Sequence, residues 1–251
     1  MNETITRVEN LRELGHHEWM SLADNEYERL LQLVDTLTNE QWSRPTDCPE
    51  WDVRDIVAHL IGMCERNADK EEAQRQGGLA AAIVQKRGGL RIDALTGLQV
   101  RERSQLSPAE LVQTLRPATE RSLRRRRAST PAERAATYVT DIPGERPWTA
   151  GYASDVIQTR DPWIHRVDIC RASGHELVLT PDHDGRIVAD VVREWAGRHG
   201  RGFTLMLEGP AGGTYASGDG AEHIRLDAVE FCRVLSGRGT GSGLLKTRVP
   251  F

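Results

Sequence analysis

Apolar residues recur at helical spacing from about His17 to Leu37, where Trp19, Leu22, Tyr27, Leu30, Leu31, Val34 and Leu37 are separated by charged positions. The pattern predicts one amphipathic helix. A short element around Thr38 to Trp42 and the turn-rich PTDCPEW follow. Then Val53, Ile56, Val57, Leu60, Ile61 and Cys64 form a single stripe at i, i+3, i+4 intervals. Asp52 stands where an N-cap belongs, Asp55 falls at N3 where a carboxylate favours the positive helix end, and Trp51 can staple onto Ile56. From Asp69 to Gln105 the chain is polar, contains glycine pairs and has poor periodicity, which reads as helix mixed with a long mobile connection. Ser107 and Pro108 open a third clear helix toward Arg127 through Leu111, Val112, Leu115, Thr119 and Leu123. DIPGERPWT, Asp141 to Thr149, reads as a loop. A fourth helix spans roughly Ala150 to Ser173 and stops at Gly174, a natural C′ residue.

After Gly174 the pattern changes. Pro181 to His199 reads as a helix through Ile187, Val188, Val191, Val192 and Trp195. Short alternating segments then suggest strands at Phe203 to Leu207, Thr214 to Ala216 and His223 to Leu226, separated by the Gly-rich turns EGPAGG and SGDG. Asp227 to Leu235 is a last helix. The expected class is α+β: a four-helix bundle over residues 1–174 and a small α/β domain over 175–251.

Composition narrows the function classes. The 251 residues carry 33 basic and 37 acidic side chains, a net charge of −4, and 38% are hydrophobic, which excludes collagen-like, disordered and supercharged chains. No stretch approaches the roughly 18 apolar residues of a membrane span, and MNETITRVENLREL has no apolar core of a signal peptide. Cys48, Cys64, Cys170 and Cys232 form no Cys-x-x-Cys pair, so a zinc knuckle and a thioredoxin-type motif are excluded and a reduced, cytoplasmic setting is expected. Arg124 to Arg127 form a basic run, but Glu120 and Glu133 flank it; the reading is a solvated helix end and no nucleic-acid partner.

The candidate chemistry lies on the fourth helix. At about 100° per residue, Val156, Trp163, Ile164 and Val167 share one side, while Asp161, His165 and Asp168 share another. A carboxylate and an imidazole at i and i+4 can bind one metal together, and Asp168 can orient the imidazole. The same spacing also describes the solvated face of an amphipathic helix. His59 lies at the flank of the apolar stripe of the second helix, a position that suits a ligand lining a cleft in a bundle and equally a half-exposed surface histidine.

CPEWDVRDIVAHL, with Trp51, Asp55 and His59, together with RDPWIHRVDI, with Asp161, His165 and Asp168, resembles the mycothiol-dependent maleylpyruvate isomerase family of actinobacteria, within the DinB-like superfamily. The tail FCRVLSGRGTGSGLLKTRVPF is similar to that family's C-terminal domain. The resemblance implies a DinB-like four-helix bundle holding one divalent ion, usually zinc, and a small α/β domain that closes over the site. It assigns His59 and His165 as metal ligands. Asp161 takes the position where the characterised isomerase has glutamate, one methylene longer, and Pro162 beside it can kink the helix. The glycine-flanked arginine of the family matches Arg238, whose guanidinium can grip a carboxylate in bidentate fashion.

Two histidines and one carboxylate leave a metal position open, the catalytic pattern. The resemblance implies that the thiol of mycothiol fills it and attacks a small electrophilic, acidic substrate held by Arg238. With aspartate at 161, the reading is a mycothiol-dependent S-transferase. The alternatives are a maleylpyruvate cis/trans isomerase, a metal-free binding protein on the same fold, and a plain metallohydrolase.

Overall fold

The computed structural model describes residues 5–219 and 222–251; Met1 to Thr4 of the polar opening and Gly220 of the SGDG turn lie outside them. Strand β1 (Ile5–Arg7) comes first, and the hydrophobic pattern does not announce it. The chain divides into two compact units, one of His16–His175 and one that joins the described residues up to Gly15 with Glu176–Phe251.

The first unit is helical. Helix α1 (His16–Asp35) buries Trp19, Tyr27, Leu30, Leu31 and Val34, the stripe expected of it. The short α2 (Asn39–Trp42) is capped by Thr38, and α3 (Val53–Ala68) by Asp52, whose carboxylate accepts from the Asp55 N–H at 2.9 Å while the Asp55 side chain accepts from the Asp52 N–H. The helix start therefore falls where the two aspartates place it.

The expected long connection after Asp69 is instead two helices, α4 (Lys70–Arg87) and α5 (Arg91–Glu102). Asp69 caps α4 by accepting from Glu71 and Glu72, and the Gly88–Gly89 pair, with φ of 73° and 91°, turns the chain into α5. Good helix formers carry α4 through Gly77 and Gly78, which the weak periodicity conceals. Helix α6 (Pro108–Arg127) starts at a Ser107–Glu110 capping box, and α7 (Pro131–Ala135) follows. Strands β2 (Thr137–Tyr138) and β3 (Trp148–Thr149) pair antiparallel around the expected loop. A π turn, Tyr152–Ile157, leads into α8 (Gln158–Ser173), which Gly174 ends in the left-handed region.

Helix α3 packs along α6 and α8, and α1 packs along the same two, so four long helices enclose a core that includes Ile56, Leu60, Leu111, Leu115 and Trp163. Helices α4 and α5 pack on each other and on α3. Helix α8 departs from the amphipathic expectation. Every residue from Pro162 to Cys170 is buried, so it has no solvated face.

The second unit is α/β. A π turn, Pro181–Gly185, opens α9 (Arg186–His199); β4 (Phe203–Glu208), β5 (Gly213–Ser217), β6 (Glu222–Asp227) and α10 (Ala228–Ser236) follow. The sheet order is β1-β5-β4-β6, with β4 and β5 antiparallel and the outer pairs parallel. Trp195 packs edge-on against Phe203 and Phe231 at its core. Strand β1, with Ile5 opposite Thr214, ties the start of the chain to this unit, whereas the sequence pattern places residues 1–174 together. Three residues without an apolar run carry no strand signal. Among the described residues no helix is long and apolar enough to cross a membrane.

Candidate metal centre

Three elements of the helical unit build one polar cluster in its core. Helix α3 supplies His59, two turns after its cap, and α8 supplies Asp161, His165 and Asp168. The PTDCPEW loop supplies Trp51. That loop is closed by local bonds, with the Thr46 hydroxyl donating to the Trp51 carbonyl at 2.8 Å and the Trp51 N–H to the Cys48 carbonyl at 2.8 Å. These bonds hold the indole 5.0 Å from the His59 ring and 6.0 Å from the His165 ring. His59 and His165 are 3% and 4% exposed, so neither is a surface histidine.

The two imidazoles turn the same edge toward one carboxylate. His59 Nε2 lies 3.5 Å from Asp161 Oδ2, and His165 Nε2 lies 3.4 Å from Asp161 Oδ1. Their other nitrogens are engaged behind them. His165 Nδ1 is 2.9 Å from the buried carboxylate of Asp168, which only accepts, so Nδ1 carries a proton and Nε2 is the nitrogen turned inward.

His59 is oriented by a longer relay that has no sequence signature. Its Nδ1 lies 2.8 Å from Gln99 Oε1; the Gln99 amide donates to Gln76 Oε1 at 2.8 Å, and the Gln76 amide donates to Glu72 at 2.8 Å. The Glu72 carboxylate accepts only, so the direction of donation is fixed along the whole relay and His59 Nδ1 must be the donor. Arg75 holds Glu72 in place, and its hydrogen bonds push the Glu72 carboxyl down to about 2. Gly62 makes the relay possible. A Cβ there would stand 2.5 Å from Gln99 Cγ, so glycine alone lets α5 come this close to α3.

The cluster is therefore two inward Nε2 atoms facing an acceptor-only carboxylate, a set that calls for positive charge, as protons on the nitrogens or as a metal ion in their place. Burial works to raise the Asp161 pKa, but the charges of His59 and His165 outweigh it and hold the carboxyl well below its usual range. Burial likewise disfavours the His165 cation, and the Asp161 charge overcomes it, raising the imidazole well above 6.5. The separations of 3.4 and 3.5 Å exceed a good N–H···O bond of roughly 2.7–3.2 Å. One ligand atom from each of the three side chains lies within 4.8 Å of the others, close enough to share one ion. The side chains present thus fit a divalent ion.

Cys48, which the sequence left outside any site, places its Sγ 3.7 Å from Asp168 Oδ2, behind His165. All four cysteines are free thiols. Arg238 belongs to the other unit, where it follows Gly237 and its backbone N–H donates to the Arg233 carbonyl at 2.8 Å.

Residues 23–170 match the family model described as the mycothiol maleylpyruvate isomerase N-terminal domain. Two solved structures superpose on nearly the whole chain. One is the mycothiol-dependent maleylpyruvate isomerase, 18% identical, with a TM-score of 0.57 over 95% of this chain and 94% of that one. The other is a histidine-to-alanine mutant of the mycothiol-dependent maleylpyruvate isomerase, 17% identical, with a TM-score of 0.58 over 94% and 93%. At these identities the likeness is one of fold. No curated protein matches the sequence.

Proposed function

The chain belongs to the mycothiol maleylpyruvate isomerase N-terminal domain family, and from that membership and the geometry of His59, Asp161 and His165 we propose a mycothiol-dependent metalloenzyme that isomerises a small unsaturated acid. The observation that carries the proposal is the pair of inward Nε2 atoms on either side of the Asp161 carboxylate. The family and the fold neighbours favour the isomerase over the S-transferase that the aspartate at 161 suggested.

A divalent ion on these three side chains, zinc by the donor set, would lower the pKa of a thiol at its open position and keep it as thiolate at neutral pH. The protein's own groups prepare that position. Gln99 and Asp168 accept from Nδ1 of the two histidines, so in both it is Nε2 that faces the ion, which displaces any proton held there. Trp51 packs beside both rings, which are buried. Asp161, with 19% of its side-chain surface exposed, is the most open of the three ligands and marks the side from which a thiol would approach.

The thiolate of mycothiol is the nucleophile. Its addition to the conjugated double bond leaves a single bond about which the adduct rotates, and its expulsion re-forms the double bond in the trans geometry, so the thiol is not consumed. Arg238 keeps its proposed part, the grip on a substrate carboxylate, on the strength of the glycine-flanked motif.

Incubation of zinc-loaded protein with mycothiol and maleylpyruvate tests the reading. Fumarylpyruvate formed at constant thiol concentration is the expected result. A stable S-conjugate with loss of free thiol would return the reading to S-transfer, and turnover without thiol would indicate a metallohydrolase.

A further inference from the structure

Arg126 stands in the run of four arginines that ends α6, and it alone of the four is buried, at 3% exposure. Its neighbours Arg124, Arg125 and Arg127 are surface residues paired with Glu120, Glu133 and Asp24. The guanidinium of Arg126 bonds only neutral oxygens. Nη1 donates to the Gln158 carbonyl at 3.2 Å and Nη2 to the Thr159 hydroxyl at 2.9 Å, while Nε has no partner among the described residues. A buried charge served by neutral acceptors is costly, so its retention at this place calls for a reason.

The reason lies in α8. At the α-helical interval the Gln158 carbonyl is served by the N–H of residue 162, which is Pro162; proline has no N–H, and its ring presses on that carbonyl. Asp161, directly before the proline, is sterically disfavoured in a helical conformation. The π turn Tyr152–Ile157 adjoins on the other side. The turn that carries Asp161 is thus the least supported of α8 by its own sequence. Arg126 supplies the missing donor from another helix, and the Thr159 hydroxyl passes the restraint on by donating to the Asp155 carbonyl at 2.7 Å, inside the π turn.

We propose that Arg126 is a positioning residue for the metal centre: clamped on the Gln158 carbonyl and the Thr159 hydroxyl, it fixes the proline-interrupted turn so that Asp161 faces His59 and His165 together. The inference rests on the metal reading above. It also explains how aspartate, with its shorter reach, serves at this position, because the backbone that carries it is interrupted at Pro162 and held there by Arg126.

The test compares zinc affinity and the visible spectrum of the cobalt-substituted protein for the wild type, Arg126→Met, Arg126→Lys, Pro162→Ala and Arg126→Met with Pro162→Ala. Circular dichroism confirms that each folds, and Arg126→Lys stands in if Arg126→Met does not. The expected result is a loss of about 10–100-fold in zinc affinity and altered cobalt bands for Arg126→Met, as for other residues that orient ligands. Pro162→Ala restores the N–H at 162, so in that background the same substitution should cost less than about 3-fold, the signature of coupled sites. Equal affinity and spectra for wild type and Arg126→Met, or an equal loss in both backgrounds, would overturn the role of Arg126. A wild type that binds neither ion would overturn the metal centre itself.

Discussion

His59 Nδ1 lies 2.8 Å from Oε1 of Gln99, a residue 40 positions further along the chain and on a different helix. Because the amide of Gln99 is committed to Gln76 and that of Gln76 to Glu72, this oxygen can only accept, and one tautomer of His59 is selected. Gln99→Leu removes the acceptor and leaves a buried N–H unserved. Zinc affinity should fall about 10–100-fold with the helical content unchanged, read by competition with a chromophoric chelator. Unchanged affinity would show that the relay does not orient the ligand.

Gly62 sets the distance over which that relay works. In Gly62→Ala the new methyl would stand 2.5 Å from Gln99 Cγ and 2.6 Å from its Cβ, so α5 must shift away from α3. The expected outcome is a loss of about 1–3 kcal/mol in denaturant unfolding together with weaker zinc binding. A variant that loses stability yet keeps full zinc affinity would separate the helix contact from the relay.

Arg166 and Glu26 form a two-point ion pair at 2.7 and 3.0 Å, with side chains 4% and 0% exposed, that joins α8 to α1. Glu26→Leu takes this carboxylate from a buried guanidinium and should destabilise the fold by about 3–5 kcal/mol in thermal or urea unfolding. Adding Arg166→Met should recover much of the loss, since an apolar pair of similar size needs no desolvation. Equal damage from the single and double variants would contradict this.

Acid stability should depend on Glu72. Its folded pKa of about 2 lies below the ordinary 4.5, held down by its hydrogen bonds to Arg75 and Gln76. A depressed carboxyl adds stability that is fully present above 4.5 and is lost as the pH falls toward about 2. Glu72→Gln should therefore flatten the fall in stability across that window and leave its slope near neutrality unchanged. Parallel pH profiles for wild type and variant would refute it.

Much of the helical frame is legible in the sequence because it is written locally. The caps at Asp52 and Ser107 and the apolar stripes of α1, α3 and α6 depend on neighbours within a turn or two. What escapes is set by tertiary contact. Gln76 and Gln99 are plain amides with no spacing to mark them, and Gly77 and Gly78 obscure the helix that brings Gln76 to Gln99. Arg126 is hidden in a run whose other members are solvated. The α8 wheel places Asp161, His165 and Asp168 together, but it reads as half-exposed a helix that is buried on every side, since periodicity fails where all faces meet protein. His59 and His165 are candidates by motif; the inward turn of both Nε2 atoms rests on their outer partners, which the motif does not contain.

The most direct test of the metal centre is zinc stoichiometry by equilibrium dialysis and elemental analysis, on the wild type and on folded His59→Ala and His165→Ala variants. About one zinc per wild-type chain and loss of binding in both variants are expected, since each variant removes one of three protein ligands. Less than about a tenth of an equivalent in the wild type, or stoichiometric zinc that survives both substitutions, would contradict it.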